Sequence, residues 1–120
     1  MEIRNLVKRW FSKWESGDFL DLPVSEDFKH TSPYGTITGK KNYMNVIEAN
    51  KDKFLGHHFE IHNEIYEEDM ACIRYTAVKD NFKLDVSEWH FLSKGQINEI
   101  VAYYNITGEI SNEKKLNIPK

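Results

Sequence analysis

Hydrophobic residues recur in the first part of the chain with the period of an amphipathic helix. Over residues 2–16 the apolar side chains fall on one side, and the opposite side is basic. Gly17 follows this stretch and predicts the end of the helix. The apolar positions are Ile3, Leu6, Val7, Trp10, Phe11 and Trp14.

Two further segments are predicted to be helical. Asp18 is a residue type that caps helices, so a short helix is predicted over residues 18–22, where Pro23 stops it. A longer amphipathic helix is predicted over residues 40–54, immediately after Gly39.

Alternation of apolar and polar residues predicts strands elsewhere. Residues 28–32 form a short strand that enters a turn, and residues 37–38 add one extended step. After Gly56 the pattern is that of strands only, in four segments separated by turn residues. This order of elements predicts an α+β domain, with two or three helices packed on a strongly bent, mostly antiparallel sheet.

The turns between the last strands predict which side chains share a face. A two-residue loop at Asp80 and Asn81 places Ile73 opposite Glu88 and leaves Arg74 on the other face. A slip of one residue would instead let Arg74 meet Glu88. A three-residue loop over residues 93–95 places Ile100, Ala102 and Tyr104 beside Glu88.

Two ionisable residues lie on an otherwise apolar face of the strand over residues 82–92. Glu88 and His90 share that face with Leu84 and Val86. Such groups cost free energy when buried unless they are paired, so this strand is expected to line a pocket or a polar network. Desolvation is expected to raise the pKa of Glu88, which could then act as a general acid or base near neutral pH.

The candidate catalytic residues are Glu88 and His90, together with His30 from the strand over residues 28–32. Three interpretations of the function of these residues stay open. The first is a pocket that binds a small molecule and performs acid–base chemistry on it. The second is a ligand carrier or dimeric interaction module that does not need Glu88. The third is a structural bond between Glu88 and His90. The residues predicted to bind the small molecule are Trp10, Trp14, Ser32, Tyr34, Tyr43, Tyr75 and Tyr104.

Composition narrows the classes of partner and cofactor. A net charge of −3 argues against binding to a nucleic-acid backbone. The single Cys72 excludes an intrachain disulfide and a cysteine-rich zinc site, and no cofactor is expected. His58, Glu60, His62 and Glu64 alternate along one strand face, which is predicted to be solvated rather than to bind metal.

No segment has the ~20 apolar residues of a membrane span, so a cytoplasmic protein is expected.

The chain of 120 residues is expected to form one domain, with a core over residues 2–106 and a tail over residues 107–120. Both faces of the predicted sheet are rich in apolar groups. One face is expected to close over the helices, and the other needs a partner. A homodimer is therefore predicted through Trp89, Phe91, Val101 and Tyr103.

Several short motifs, in this order and spacing, resemble the nuclear transport factor 2-like superfamily, which includes ketosteroid isomerase and the SnoaL-like cyclases. They are Trp14-Glu15-Ser16-Gly17-Asp18, Ser32-Pro33-Tyr34-Gly35 with Gly39, Asp69-Met70-Ala71, and Glu88-Trp89-His90-Phe91 ahead of Lys94-Gly95-Gln96-Ile97. The resemblance covers about residues 2–106. It implies a cone-shaped α+β barrel with a pocket between helices and concave sheet, and a dimer through the convex face.

The resemblance also bears on chemistry. Ketosteroid isomerase uses an aspartate base before a proline, with an oxyanion hole made by a tyrosine and a protonated aspartate. Here Ser32 precedes Pro33, Trp10 stands in place of the tyrosine, and Glu88 matches the second carboxylate. A scytalone dehydratase-like arrangement would instead combine His30, His90, Glu88 and Tyr34. The implied activity is that of an isomerase, cyclase or dehydratase acting on a small apolar carbonyl compound.

Overall fold

The computed structural model of the chain describes residues 2–105, so the predicted tail lies outside the described residues. Within these residues three helices and six strands form an α+β fold, and this fold class is as predicted. Within the described residues no helix has the length and apolar character needed to cross a membrane. The elements are α1 (Ile3–Ser16), β1 (Val24–Ser32), β2 (Gly35–Thr38), α2 (Lys40–Ala49), α3 (Lys51–Phe54), β3 (His58–Tyr66), β4 (Met70–Lys79), β5 (Phe82–Ser93) and β6 (Gln96–Tyr103).

The six strands form one mixed sheet in the order β2-β1-β6-β5-β4-β3. Strands β1 and β6 are parallel, and the other neighbouring pairs are antiparallel. The sheet does not close on itself, because β2 and β3 remain at its two ends. Helix α1 packs on the concave face against β3, β4 and β6, and α2 packs against β1 and β2. The hydrophobic core lies between this face and the two helices.

Helix α1 has the predicted limits, and the predicted second helix is absent. Gly17 ends α1 in the left-handed conformation at φ 83°, and its N–H donates to the Lys13 carbonyl. The prediction of a helix over residues 18–22 is wrong. Asp18 and Asp21 bind the Lys13 ammonium at 2.9 and 2.7 Å, where a helix cap would bind backbone N–H groups. The segment therefore crosses the end of α1 as a turn.

We expect Gly17→Ala to lower the free energy of unfolding by about 1–2 kcal/mol, because left-handed backbone is strained for a residue with a Cβ. An added Cβ would also lie 3.0 Å from Leu55 Cδ2. Gly95→Ala is the matched control, since its φ of +76° is similar but nothing lies within 4 Å of the added Cβ. Urea denaturation of both variants measures the effect. Equal losses in the two variants would mean that the contact with Leu55 adds nothing.

The predicted helix over residues 40–54 is interrupted. Asn50 leaves helical geometry at φ −118° and ψ 18°, and its side-chain amide donates to the Val46 carbonyl at 2.8 Å. Asparagine competes for backbone groups in this way, so the helix divides into α2 and α3.

The β4–β5 hairpin has the predicted two-residue loop. Ile73 lies opposite Glu88 and Arg74 lies opposite Ser87. Arg74 therefore faces the convex side, where its Nε donates to Asn63 Oδ1 at 2.7 Å. The alternative register, in which Arg74 meets Glu88, is wrong.

Two bulges change details of the predicted strand faces. The β5–β6 loop contains only Lys94 and Gly95, both with positive φ, and not the three predicted residues. A bulge at Asn98 then shifts the register, so Ala102 rather than Ile100 lies opposite Glu88. The inward face of Ile100 and Ala102 is nevertheless as predicted, because both are buried.

The second bulge lies in β3. His62 is the extra residue there, since Ile61 pairs with Tyr75 and Asn63 pairs with Arg74. Beyond a bulge, the residues that would have pointed inward point outward, and those that would have pointed outward point inward. Glu64 consequently lies opposite Ile73, and Ile65 faces outward with 64 % of its surface exposed. The predicted alternation along β3 therefore holds only before His62.

Candidate functional site

A hollow of about 740 Å³ lies between the helices and the concave face of the sheet. Its inner part is formed by aromatic rings and by apolar residues of β4 and β5. All but one of the predicted catalytic and binding residues line it. Those that do are Trp10, Trp14, His30, Ser32, Tyr34, Tyr43, Tyr75, Glu88 and Tyr104.

Glu88 is the deepest polar group of the hollow, with 3 % of its surface exposed. The Tyr75 hydroxyl, one diagonal step across the β4–β5 pair, donates to Glu88 Oε2 at 2.8 Å. On the other side, His90 Nε2 lies 2.9 Å from Glu88 Oε1. That contact has the distance of an ion pair but lacks the alignment of a hydrogen bond.

His90 is the one predicted catalytic residue that does not line the hollow. It is completely buried, and its ring packs edge-on against Trp10 with the centroids 6.0 Å apart. His90 therefore lies behind the lining residues and contacts one of them, Glu88. In this position His90 can act on Glu88 but has no direct contact with a molecule in the hollow.

The predicted rise in the pKa of Glu88 is wrong. Burial raises the pKa of this carboxyl, but the contacts with His90 and the Tyr75 hydroxyl outweigh burial, and the pKa lies below its ordinary value of 4.5. The prediction considered only the apolar neighbours of Glu88 along β5. The groups that lower its pKa are His90, two positions further along β5, and Tyr75 on β4. Glu88 is consequently an anion at neutral pH, which is the form that accepts a proton.

His30, Tyr43 and Tyr75, which line the hollow with Glu88, are uncharged at neutral pH. Burial lowers the pKa of His30, so its imidazole is neutral at pH 7. Burial, followed by the charge of Glu88, raises the pKa of Tyr43 and Tyr75 well above 10.0. Both phenols therefore keep their protons and can donate hydrogen bonds. The His30 and Tyr43 rings are stacked, with their centroids 5.0 Å apart.

The hollow opens at the end of the sheet where β5 begins and β6 ends. Tyr34, which is 71 % exposed, and Tyr104 stand at this mouth with their ring centroids 6.2 Å apart. Burial raises the pKa of Tyr104, so this phenol is also protonated. Ser32 lines the same side.

Sequence reasoning missed part of the mouth. Asn50, Lys53 and His57 line the hollow. Asn50 and Lys53 lie around the interruption between α2 and α3, where a continuous helix was predicted, and His57 lies just before β3, where a strand was predicted. The asparagine in the middle of a helical pattern was the available signal for that interruption. Phe82, at the start of β5, completes this side.

No cluster of three or more potential metal ligands occurs among residues 2–105. The histidines of β3 have other partners. His58 Nδ1 lies 2.7 Å from Glu15 Oε2, and His62 Nε2 lies 2.7 Å from the Thr76 hydroxyl.

The folded protein should lose stability in acid through Glu88. Because its pKa is lowered in the folded state, ionised Glu88 stabilises the fold above its ordinary value of 4.5, and this contribution is lost as the pH falls through the lower folded value. We therefore expect the free energy of unfolding to decline more steeply below about pH 4.5 in the wild type than in Glu88→Gln. Urea denaturation between pH 3 and pH 7 measures both slopes. Parallel curves would contradict the lowered pKa.

Comparison with known proteins identifies relatives. The sequence profile of the SnoaL-like domain matches residues 7–103. None of the curated proteins matches the chain.

Three solved structures illustrate the likeness of fold. An NTF2-like protein of unknown function from Cytophaga hutchinsonii is 23 % identical, with 85 % of this chain and 88 % of that chain covered and a TM-score of 0.73. A putative ketosteroid isomerase from Kribbella flavida is 13 % identical, with coverages of 98 % and 90 % and a TM-score of 0.73. A hypothetical protein with a ketosteroid isomerase-like fold from Catenulispora acidiphila, in complex with trimethylamine, is 16 % identical, with coverages of 84 % and 85 % and a TM-score of 0.70.

Proposed function

Because the chain belongs to the SnoaL-like domain family, within the nuclear transport factor 2-like superfamily, we propose that it binds a small apolar carbonyl compound in the hollow and that Glu88 acts on it as a general base. The observation that carries this proposal is a buried, ionised carboxylate at the inner end of an apolar hollow. The complex of a relative with trimethylamine supports small-molecule binding in this fold.

The proposed reaction begins with the transfer of a proton. Glu88 takes a proton from the carbon next to the carbonyl group. The electron pair of that C–H bond forms a C=C bond to the carbonyl carbon, and the π pair of the C=O bond moves to the oxygen, which becomes an enolate. The Tyr43 hydroxyl stabilises the resulting enolate by donating a hydrogen bond. It can do so because its pKa is raised, by burial and by the charge of Glu88, and the phenol therefore stays protonated. In a substrate with a C=C bond conjugated to this enolate, return of the proton from Glu88 to the far carbon of the dienolate and re-formation of the C=O bond complete an isomerisation. His90 is a positioning residue that holds Glu88 in its ionised form.

The proposal is tested with 2-tetralone, an apolar bicyclic ketone with acidic protons beside its carbonyl group. In D₂O the wild-type protein is expected to bind this ketone and to replace those protons by deuterium faster than buffer alone. NMR spectroscopy follows the exchange, and quenching of tryptophan fluorescence follows binding, since Trp10 and Trp14 line the hollow. Binding without accelerated exchange would overturn the enzymatic proposal.

One observation favours a second candidate function, that of a carrier. Ser32 lines the hollow at the position where the resemblance places the aspartate base of ketosteroid isomerase. Glu88 is consequently the sole carboxylate among the described residues that line the hollow. A carrier would bind the ketone as tightly after Glu88→Gln and would not accelerate exchange in either form.

We also propose that two chains associate through the convex face of the sheet. Trp89 and Tyr103 are 37 % and 62 % exposed there, and Phe91 and Val101 are half-buried beside them. Trp89 and Val101 are directly paired across β5 and β6, so their side chains form one apolar surface.

We expect Trp89→Lys to convert a dimer into a monomer, because it would place a charge in the middle of the apolar interface. Sedimentation equilibrium measures the change in mass. Leu20→Lys is the control, since Leu20 is 61 % exposed but does not lie on the sheet. A monomeric wild type, or a dimer that survives Trp89→Lys, would contradict the proposal.

A further inference from the structure

We propose that the molecule held in the hollow is an elongated amphiphile, with its apolar body along β5 and an anionic group, such as a carboxylate, at the mouth beside Lys53. This inference rests on the proposed function because it concerns the same hollow. It adds the chemical class of the ligand and its orientation.

The hollow deepens steadily along β5. The inward side chains of this strand run from Phe82, which is 45 % exposed, through Leu84 and Val86 to Glu88, which is 3 % exposed. Six residues of extended strand span about 20 Å. The space is therefore long, with an apolar wall between a polar inner end and an open outer end, and it suits an extended molecule better than a round one.

Lys53 lies at the outer end of this space. It belongs to α3 and lines the hollow, and the loop after α3 lies against the tip of the β4–β5 hairpin. A Cβ on Gly56 would lie 3.6 Å from Lys79 Cε, and the rings of His57 and Phe82 are 5.9 Å apart. These contacts place Lys53 toward the Phe82 end of the hollow rather than toward Glu88.

The charges at the two ends select the orientation of the ligand. Among the described residues that line the hollow, Lys53 is the sole lysine or arginine and Glu88 is the sole carboxylate. An anionic group at the inner end would face the ionised Glu88 in a water-poor site, where like charges repel strongly. The same group at the mouth would meet the Lys53 ammonium and remain hydrated. An amphiphilic acid therefore enters with its apolar end first.

Three probes with the same aromatic body test the inference: 4-(1-pyrenyl)butanoate, 4-(1-pyrenyl)butanol and 4-(1-pyrenyl)butylamine. Quenching of tryptophan fluorescence gives their affinities for the wild type, for Lys53→Met and for Lys51→Met. Methionine keeps the length of the lysine stem and removes its charge. Lys51 is the matched control because it belongs to the same helix but does not line the hollow.

We expect the acid to bind the wild type roughly threefold to fivefold more tightly than the alcohol, the range of a partly exposed ion pair. Lys53→Met should abolish this preference, Lys51→Met should retain it, and added NaCl should reduce it in the wild type. Equal affinities of acid and alcohol, tightest binding of the amine, or equal effects of the two lysine variants would overturn the inference and leave the proposed function intact. Failure of all three probes to bind a wild type that binds 2-tetralone would overturn the inference alone, whereas failure of 2-tetralone to bind would overturn the proposed function.

Discussion

Replacing Glu88 by glutamine is expected to slow solvent exchange into bound 2-tetralone by about 100-fold or more, the usual contribution of a positioned general base. The glutamine amide has nearly the shape of the carboxylate and can still accept the hydrogen bond that Tyr75 donates. It cannot accept the proton of the ketone at neutral pH. The affinity for 2-tetralone should therefore change much less than the rate.

Glu60→Gln is the matched control for this experiment. Glu60 is an exposed glutamate on the convex side of the same sheet, opposite Thr76. Its replacement changes the net charge equally and should leave exchange at the rate of the wild type. An undiminished rate in Glu88→Gln would show that another group removes the proton.

The second large effect is expected on stability. His90→Leu should lower the free energy of unfolding at pH 7 by about 3–5 kcal/mol, because it leaves a buried carboxylate facing an apolar side chain. His90 is completely buried, and its Nε2 lies 2.9 Å from Glu88 Oε1. Urea denaturation followed by circular dichroism measures the loss.

Two further variants separate a charge effect from a packing effect. The double variant Glu88→Gln/His90→Leu should recover more than half of the loss, since no charge is then buried. His58→Leu breaks another close histidine–glutamate contact, with Glu15 at 2.7 Å, but this pair is exposed to solvent. Its loss should stay within about 1 kcal/mol. A double variant as unstable as His90→Leu alone would assign the loss to packing.

The elements of the fold were predictable where a long apolar period or a specific turn determined them. Helix α1 has a continuous apolar stripe that ends at Gly17, and the loop at Asp80 admits only one pairing that keeps Ile73 and Tyr75 inside. The prediction for residues 18–22 was wrong because Asp18 can either cap a helix or form a salt bridge, and the local sequence does not distinguish the two. The Lys13 side chain that decides between them comes from another element.

The sequence was enough to predict which residues meet in the candidate site. It was not enough to predict their protonation states. Strand period alone placed Glu88 and His90 on the inner face. The direction of the pKa shift depends on Tyr75 and on the 2.9 Å approach of His90, which are distances in three dimensions. Lys53 was missed for a related reason, since it belongs to α3, which Asn50 separates from α2 where one continuous helix was predicted.

The bulge at His62 has a consequence for solubility. Within residues 2–105 strand β3 has a neighbour on one side only, so its outer N–H and C=O groups are available to a strand of another molecule. A regular edge with outward residues such as Ile65, 64 % exposed, would favour aggregation by continuous pairing between chains. The extra residue bends this edge and breaks its hydrogen-bonding repeat. The same irregularity that misled the prediction of strand faces thus protects the open end of the sheet from growing into a larger one.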